Sequence, residues 1–261
     1  MAPDLERRFG GLLRLYGEPG YARIRSARIA IIGVGGVGSW AAEALARCGV
    51  ASLTLIDLDH VSESNVNRQV QALDSTLGLA KVIALRDRIA DIHPGCAVQT
   101  IEEFVDADNW PQLMANLLAQ RVEVLIDACD QVRAKEAIAS SALRSAIRLV
   151  VAGAAGGKRQ AHAVQVEDLA RVTHDPLLAA LRQRLRKFHG AAREGRIGVP
   201  CVYSREAVRA AQGGAASDGT LNCAGYGSSV TVTATFGMVA ASVALESLLD
   251  APGPAGDTRT L

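Results

Sequence analysis

The sequence predicts an α/β protein built on a Rossmann-like, doubly wound, mostly parallel sheet, followed by a less regular C-terminal part. Three observations predict it. Short apolar runs alternate with helix-period segments from residue 28 to residue 157. The first run enters a Gly33-x-Gly35-x-x-Gly38 turn that opens directly into a helix. Acidic residues close two later runs, at the strand ends where ligands of such sheets collect.

RIAIIG (28–33) reads as a fully buried strand, and 37–48 as the helix packed on it. ASLTLIDLD (51–59) is the second strand, parallel to the first in a right-handed βαβ unit. Leu79, Val82, Ile83, Leu85, Ile89 and Ile92 fall on one face of a helix over 77–94, which Pro94 stops. CAVQTIEEFV (96–105) is a third strand, 109–118 a helix, and VEVLIDACD (122–130) a fourth strand ending in acids. A helix from Val132 then leads to RLVVAGAAGG (148–157), a fifth strand running into a glycine loop. Beyond it, 177–188 reads as a helix, 190–200 as a loop, CVYSREA (201–207) and 210–229 as further loops, and 230–249 as a final helix. No linker splits the chain, so we expect one domain over 1–261: a helical arm (1–27), a nucleotide-binding core (28–157) and a substrate-facing part (158–261).

Composition narrows the class. A net charge of +1 gives no global attraction to nucleic acid or membrane. Five cysteines without CxxC spacing argue against a disulfide framework and a four-cysteine zinc site, and fit a reducing cytoplasm. The charged N-terminus lacks a signal-peptide core. Residues 230–249 are almost uncharged and about long enough to cross a bilayer, but their small, weakly apolar residues favour a buried helix, such as one at a subunit contact, over an anchor.

The glycine turn fits a dinucleotide fingerprint. Gly33 turns the chain, Gly35 and Gly36 admit phosphate to the backbone, and Gly38 lets helix meet strand, with the helix N-terminus supplying donors. By itself it does not choose between a nicotinamide cofactor and ATP. Asp57 or Asp59 would suit a ribose in either case. Asn65, Arg68 and Lys81 have no use in a hydride-transfer enzyme, whereas a polyphosphate would be clamped by such charge-assisted donors. Each cation alone reads more naturally as surface; together, flanking a glycine loop, they do not. Asp127 and Asp130 emerge at the end of the fourth strand. Mg²⁺ takes a carboxylate plus phosphate oxygens, so Asp130 is the metal candidate and Asp127 the structural one. No Walker-type motif occurs.

Taken together, GVGGVG (33–38), DLDHVSESNVNRQ (57–69), GLAK (78–81) and DACD (127–130) resemble the ubiquitin-activating-enzyme-like family. The resemblance implies that Gly35 and Gly38 line the phosphates, that Asp59 holds the ribose, that Asn65, Arg68 and Lys81 contact the polyphosphate, and that Asp130 organises Mg²⁺. The paired CxxC motifs common in sulfur-carrier-activating members are absent. RFGGLLRLYGE (8–18), DPLLAALRQRLRK (175–187), CVYSREA (201–207) and CAGYGSSVTVTATFG (223–237) are instead similar to the bacterial tRNA threonylcarbamoyladenosine dehydratases. That subfamily uses ATP to cyclise a threonylcarbamoyl group on the adenosine beside the anticodon. The alternatives are an adenylyltransferase for a carrier protein's carboxylate and, more remotely, an NAD(P)-dependent oxidoreductase.

The resemblance also implies a homodimer in which an N-terminal arginine, Arg14, reaches the partner's ATP. The family's asparagine-arginine pair is replaced here by Gly10-Gly11, so an ordinary surface role for Arg14 is equally open. Cys201 and Cys223 stand where relatives can carry a reactive cysteine, a possible contact for a sulfur-transfer protein; a small loop hydrophobe is the plainer reading of each. Cys129, between two acids, reads as packing. From Arg171 to Arg209 nine Arg/Lys face three acids, the one local excess able to track tRNA phosphates, with Lys158 and Arg159 as extensions. Phe188 and Tyr203 could stack a base or be core.

Overall fold

A computed structural model describes residues 3–209 and 226–250. Seven strands are present among them: β1 (Arg28–Ile32), β2 (Ser52–Ile56), β3 (Ala97–Ile101), β4 (Val124–Asp127), β5 (Arg148–Ala152), β6 (Val164–Asp168) and β7 (Pro200–Ser204). The helices are α1 (Leu5–Arg25), α2 (Gly38–Arg47), α3 (Lys81–Ile92), α4 (Trp110–Ala119), α5 (Val132–Ala142), α6 (Pro176–Phe188) and α7 (Val230–Leu249).

The strands form one sheet in the order β3-β2-β1-β4-β5-β7-β6, parallel throughout except for the antiparallel β6–β7 pair. Helices cover both faces. One core gathers residues of α2, α3 and α7, with Ile24 of α1, against the sheet; the other gathers α4, α5 and α6. β1 and β4 lie in the centre with nearly every side chain buried, which is why both read as continuous apolar runs. The chain winds outward from β1 to β3, then returns to β4 on the other side. That reversal leaves a crevice between the C-terminal ends of β1 and β4, the place where doubly wound sheets take their ligands.

Three expectations need correction. CVYS is not loop but β7, hydrogen-bonded between β5 and β6. β6, VQVED, went unread because an edge strand with alternating charge lacks an apolar run and exists only through its partner. The helix expected from residue 77 begins at Lys81, because Gly78 has φ 83°, outside the helical region. The helical arm expected over 1–27 is the helix Leu5–Arg25, broken at Gly17, whose φ is 68°.

α7 is long and apolar enough to cross a membrane by length and composition, with a mean hydropathy of 1.6. Here Val232, Phe236, Ala240, Ala244 and Leu248 are buried, and the helix packs on α2, β4 and β5. Close approach is possible because Gly237 has no side chain: a Cβ there would lie 2.7 Å from Trp40 Cβ and 2.9 Å from Ala41 N.

Candidate functional site

A cleft of about 440 Å³ opens at the β1/β4 crevice. Gly33, Gly35, Gly36, Asp57, Asp59, Asn65, Arg68, Lys81 and Asp130 all line it. These residues come from three connections, β1–α2, β2–α3 and β4–α5, and the sheet topology brings them to one place.

The glycine turn is shaped by what surrounds it. Gly33 sits at φ 82°, donates its N–H to Ile56 O at 2.8 Å, and would carry a Cβ 3.0 Å from the Ala128 backbone. A Cβ on Gly38 would collide with the Gly33 carbonyl oxygen, so only glycine lets α2 start so close to β1. Asp57 braces the turn: one carboxylate oxygen accepts Val34 N–H at 2.8 Å and the other accepts Asp59 N–H at 2.9 Å. Burial raises its carboxyl above the ordinary aspartate value, against the pull of Lys81 and these two hydrogen bonds. Gln71 braces the other side through Nε2 to Val34 O at 2.9 Å.

Asp59 is the exposed acid of the pair. Its carboxylate holds Lys81 Nζ at 2.6 Å, and the lysine is itself buried at 6 % exposure. Asn65 is also buried and uses its side-chain oxygen to accept Ser62 N–H at 3.1 Å, which fixes the short turn before Arg68. The Arg68 guanidinium rests on Ser64 O and on Asn67 Oδ1, while its carbonyl accepts Trp40 Nε1–H at 3.0 Å and Thr233 Oγ1–H at 3.3 Å. Arg68 is thus anchored to both α2 and α7 with its charge left facing the cleft.

At the β4 exit the two acids separate. Asp127 is fully buried and paired with Lys135 Nζ of α5 at 3.1 Å. The same oxygen accepts Cys129 N–H at 3.1 Å and the Cys129 thiol at 2.9 Å. Burial, and then the Asp127 charge, push that thiol well above its ordinary value. Asp130 is exposed, lines the cleft, and forms no ion pair among the described residues. One available carboxylate beside a phosphate-type loop is the donor set Mg²⁺ asks for, so the residues present fit the metal. No ready-made cluster of three ligands exists among the described residues.

Other candidates fall elsewhere. Arg14 is exposed on α1 and does not line this chain's cleft. Cys201 lies inside β7 at zero exposure, and burial drives its thiol far up, so it is packing and not a loop nucleophile. Cys223 lies outside the described residues, as does most of the small-residue loop before α7. Lys158 is not a surface cation; it is buried, with carbonyl oxygens around its ammonium. Tyr203 is core, its hydroxyl meeting Gln165 Oε1 at 3.3 Å. Phe188 is exposed, with Lys187 Nζ 4.9 Å from its ring centre. Much of the basic run on α6 is spent internally: Arg182 donates to Leu169 O and Val172 O, and Arg184 pairs with Glu136.

Sequence reasoning missed Lys135 and Gln71. The signal for Lys135 was present, since it sits on the apolar face of its helix between Ala134 and Ile138. A cation on that face needs a buried acid, and Asp127 closes the apolar run of the preceding strand.

The ThiF family model matches residues 9–260. This chain belongs to the ThiF family. Within it, the chain is 43% identical over 259 residues to the tRNA threonylcarbamoyladenosine dehydratase of Escherichia coli (strain K12), covering 93% of this chain and 94% of that one. It is 37% identical to the enzyme of the same name from Haemophilus influenzae, with 94% and 95% covered. Among solved structures, the E. coli tRNA N6-threonylcarbamoyladenosine dehydratase, TcdA, in complex with ATP superposes with a TM-score of 0.84 at 42% identity, over 95% of this chain and 97% of that one. The family resemblance read from the motifs therefore holds along nearly the whole of this ThiF-family chain.

Proposed function

We propose that this ThiF-family protein is an ATP-dependent tRNA threonylcarbamoyladenosine dehydratase. The observation that carries the reading is the full-length likeness to enzymes of that name, flanks included. The cleft supports it. A phosphate-type turn, two cations and an available carboxylate suit a nucleoside triphosphate better than a nicotinamide dinucleotide.

The chemistry follows from the substrate. A carboxylate cannot expel oxide. One of its oxygens attacks a phosphorus of ATP and displaces the rest of the phosphate chain. A nitrogen of the same side chain then attacks the acyl carbon and gives up its proton to solvent, and the oxygen leaves on phosphorus. The substrate loses one water, which appears as hydrolysed ATP. In this reading Gly33 makes the turn, Gly35 and Gly36 bring backbone donors to the phosphates, Gly38 lets α2 start beside them, Asp57 keeps the turn in shape, and Asp59 takes the ribose. Asn65 orders the turn carrying Arg68, and Arg68 and Lys81 offset charge on the phosphates as it shifts. Lys81 is freed for this when the ribose replaces it at Asp59. Asp130 would hold Mg²⁺, which when bound supplies charge neutralisation at the phosphates. No enzyme nucleophile is required, since positioning and charge carry the rate.

The same reading includes a homodimer with Arg14 acting on the partner's nucleotide, a cytoplasmic setting consistent with free thiols, and Cys223, which lies outside the described residues, as the contact for a sulfur-transfer partner.

The test is conversion of tRNA bearing threonylcarbamoyladenosine, read by mass spectrometry of the digested nucleosides. Loss of one water dependent on ATP and Mg²⁺ is expected, and Asp130→Ala should slow it by about 10²-fold or more. Unchanged nucleoside with wild-type protein would sink the reading, and full activity in the variant would remove Asp130 from it. Quantifying AMP against ADP identifies the phosphorus attacked.

A further inference from the structure

Lys158 is among the largest fully buried side chains, at 2 % exposure. It follows Gly157, whose φ of 72° turns the backbone inward after β5. Its ammonium donates to Ser204 O at 3.0 Å, Glu206 O at 3.1 Å and His174 O at 3.4 Å. An ammonium has three N–H donors, and here three carbonyls meet them. No carboxylate pairs with it among the described residues. The nearby acids are engaged elsewhere: Asp175 accepts Ala154 N–H at 2.9 Å and Leu178 N–H at 3.0 Å, and Glu206 accepts Arg159 N–H at 2.7 Å and Gln160 N–H at 2.8 Å.

The three carbonyls belong to separate pieces of chain: the turn entering α6, the end of β7 and the segment after it. Together with the glycine loop beyond β5, these pieces wall the end of the cleft away from the GVGGVG turn, through Gly153–Gly156, Pro176, Leu177 and Val208. Lys158, at the end of that loop, therefore ties it to the turn before α6, the end of β7 and the segment after it. Burying an ammonium is costly unless each of its protons is bonded, so a cation in this cradle is either fully satisfied or absent. No neutral side chain has three donors to replace it.

We propose that Lys158 is a positioning residue, an internal cation whose carbonyl cradle holds the substrate-side wall of the cleft, so that it governs how the tRNA nucleoside is held and leaves ATP binding to the opposite wall. The inference rests on the dehydratase reading, because it assigns the second wall to the nucleoside.

The experiment uses the full chain with Lys158→Ala and the milder Lys158→Gln, each compared with wild type for ATP dissociation constant, tRNA KM and melting temperature. KM for the modified tRNA should rise about tenfold to a hundredfold in Lys158→Ala while ATP affinity stays within about twofold. Propylammonium added to Lys158→Ala should lower KM and raise the melting temperature, and 1-propanol at equal concentration should do neither; wild type controls for the salt effect on tRNA. Parallel loss of ATP and tRNA affinity in both variants, rescue by propanol as good as by propylammonium, or an unchanged KM would each overturn the proposal. Should wild type leave the tRNA unchanged, the dehydratase reading fails on its own, and the propylammonium-dependent melting shift still decides whether the cradle works as a cation site.

Discussion

Lys135 and Asp127 show how much of a site can rest on residues that never touch a ligand. Burial alone would pull the Lys135 ammonium down, but the Asp127 carboxylate outweighs it and keeps the lysine protonated. The pair fixes the Asp127–Cys129 turn, and that turn is the surface against which Gly33 packs. One ion pair thus shapes both the DACD exit and the glycine loop. Lys135→Met leaves a buried carboxylate unpartnered and should cost about 3–5 kcal/mol, read by urea unfolding. Adding Asp127→Leu to it should recover a large part of that loss; no recovery would show that the pair is not the unit at work. Asp130, three residues on, could be placed at the cleft from sequence because it follows the end of an apolar strand; the role of Lys135 depended on which face of its helix turned inward.

At the scale of elements, α2 is the pivot. Its N-terminus faces the cleft, its outer side carries α7, and its Glu43 reaches α3. Glu43 is buried and bonded by Arg88 Nε at 2.7 Å and by Arg47 Nε at 2.9 Å. Burial alone would raise the Glu43 carboxyl, yet the two guanidiniums prevail and hold it below the ordinary glutamate value. A carboxyl titrating lower when folded gives its full stabilisation above the unfolded pKa, about 4.3, and loses it as pH falls through the lower folded value. Melting curves between about pH 3 and pH 7 should therefore show a steep acid limb in wild type and a flatter one in Glu43→Gln, which also melts lower near neutrality. The α2–α7 contact makes a separate prediction. Gly237→Leu drives a side chain into Val37, Trp40 and Ala41 and should destabilise by about 1–3 kcal/mol, measured by denaturant midpoint. Because Thr233 of α7 holds the Arg68 carbonyl, the same variant should also weaken ATP binding; intact affinity would separate α7 from the site.

For the molecule as a whole, strand order decides where everything meets. Residues near 33, 57, 68, 81 and 130 share a cleft because β1 and β4 are neighbours and the chain reverses direction between them. Arg14 stands outside that cleft in its own chain, which fits a role only across a subunit boundary. The trans-arginine proposal predicts that Arg14→Ala and Asp130→Ala proteins, each inactive alone, regain turnover when mixed under subunit exchange. Mixtures that stay inactive despite demonstrated exchange would remove Arg14 from the mechanism.

The central strands, the glycine turn and the ligand-bearing loops were legible in the sequence, because fully buried parallel strands must be continuous apolar runs and a phosphate-type turn must spare its Cβ atoms. That Arg68, Lys81 and Asp130 share one cleft was legible too, because each follows a strand end of the expected sheet. What only the tertiary structure decided was every feature whose meaning lies in a partner. β6 and β7 exist through each other and through β5. Lys158 looked like a surface cation and became an internal one, while Cys201 and Tyr203 went into the sheet and core. A charge or a short alternating stretch does not carry its own burial; the elements packed around it assign that.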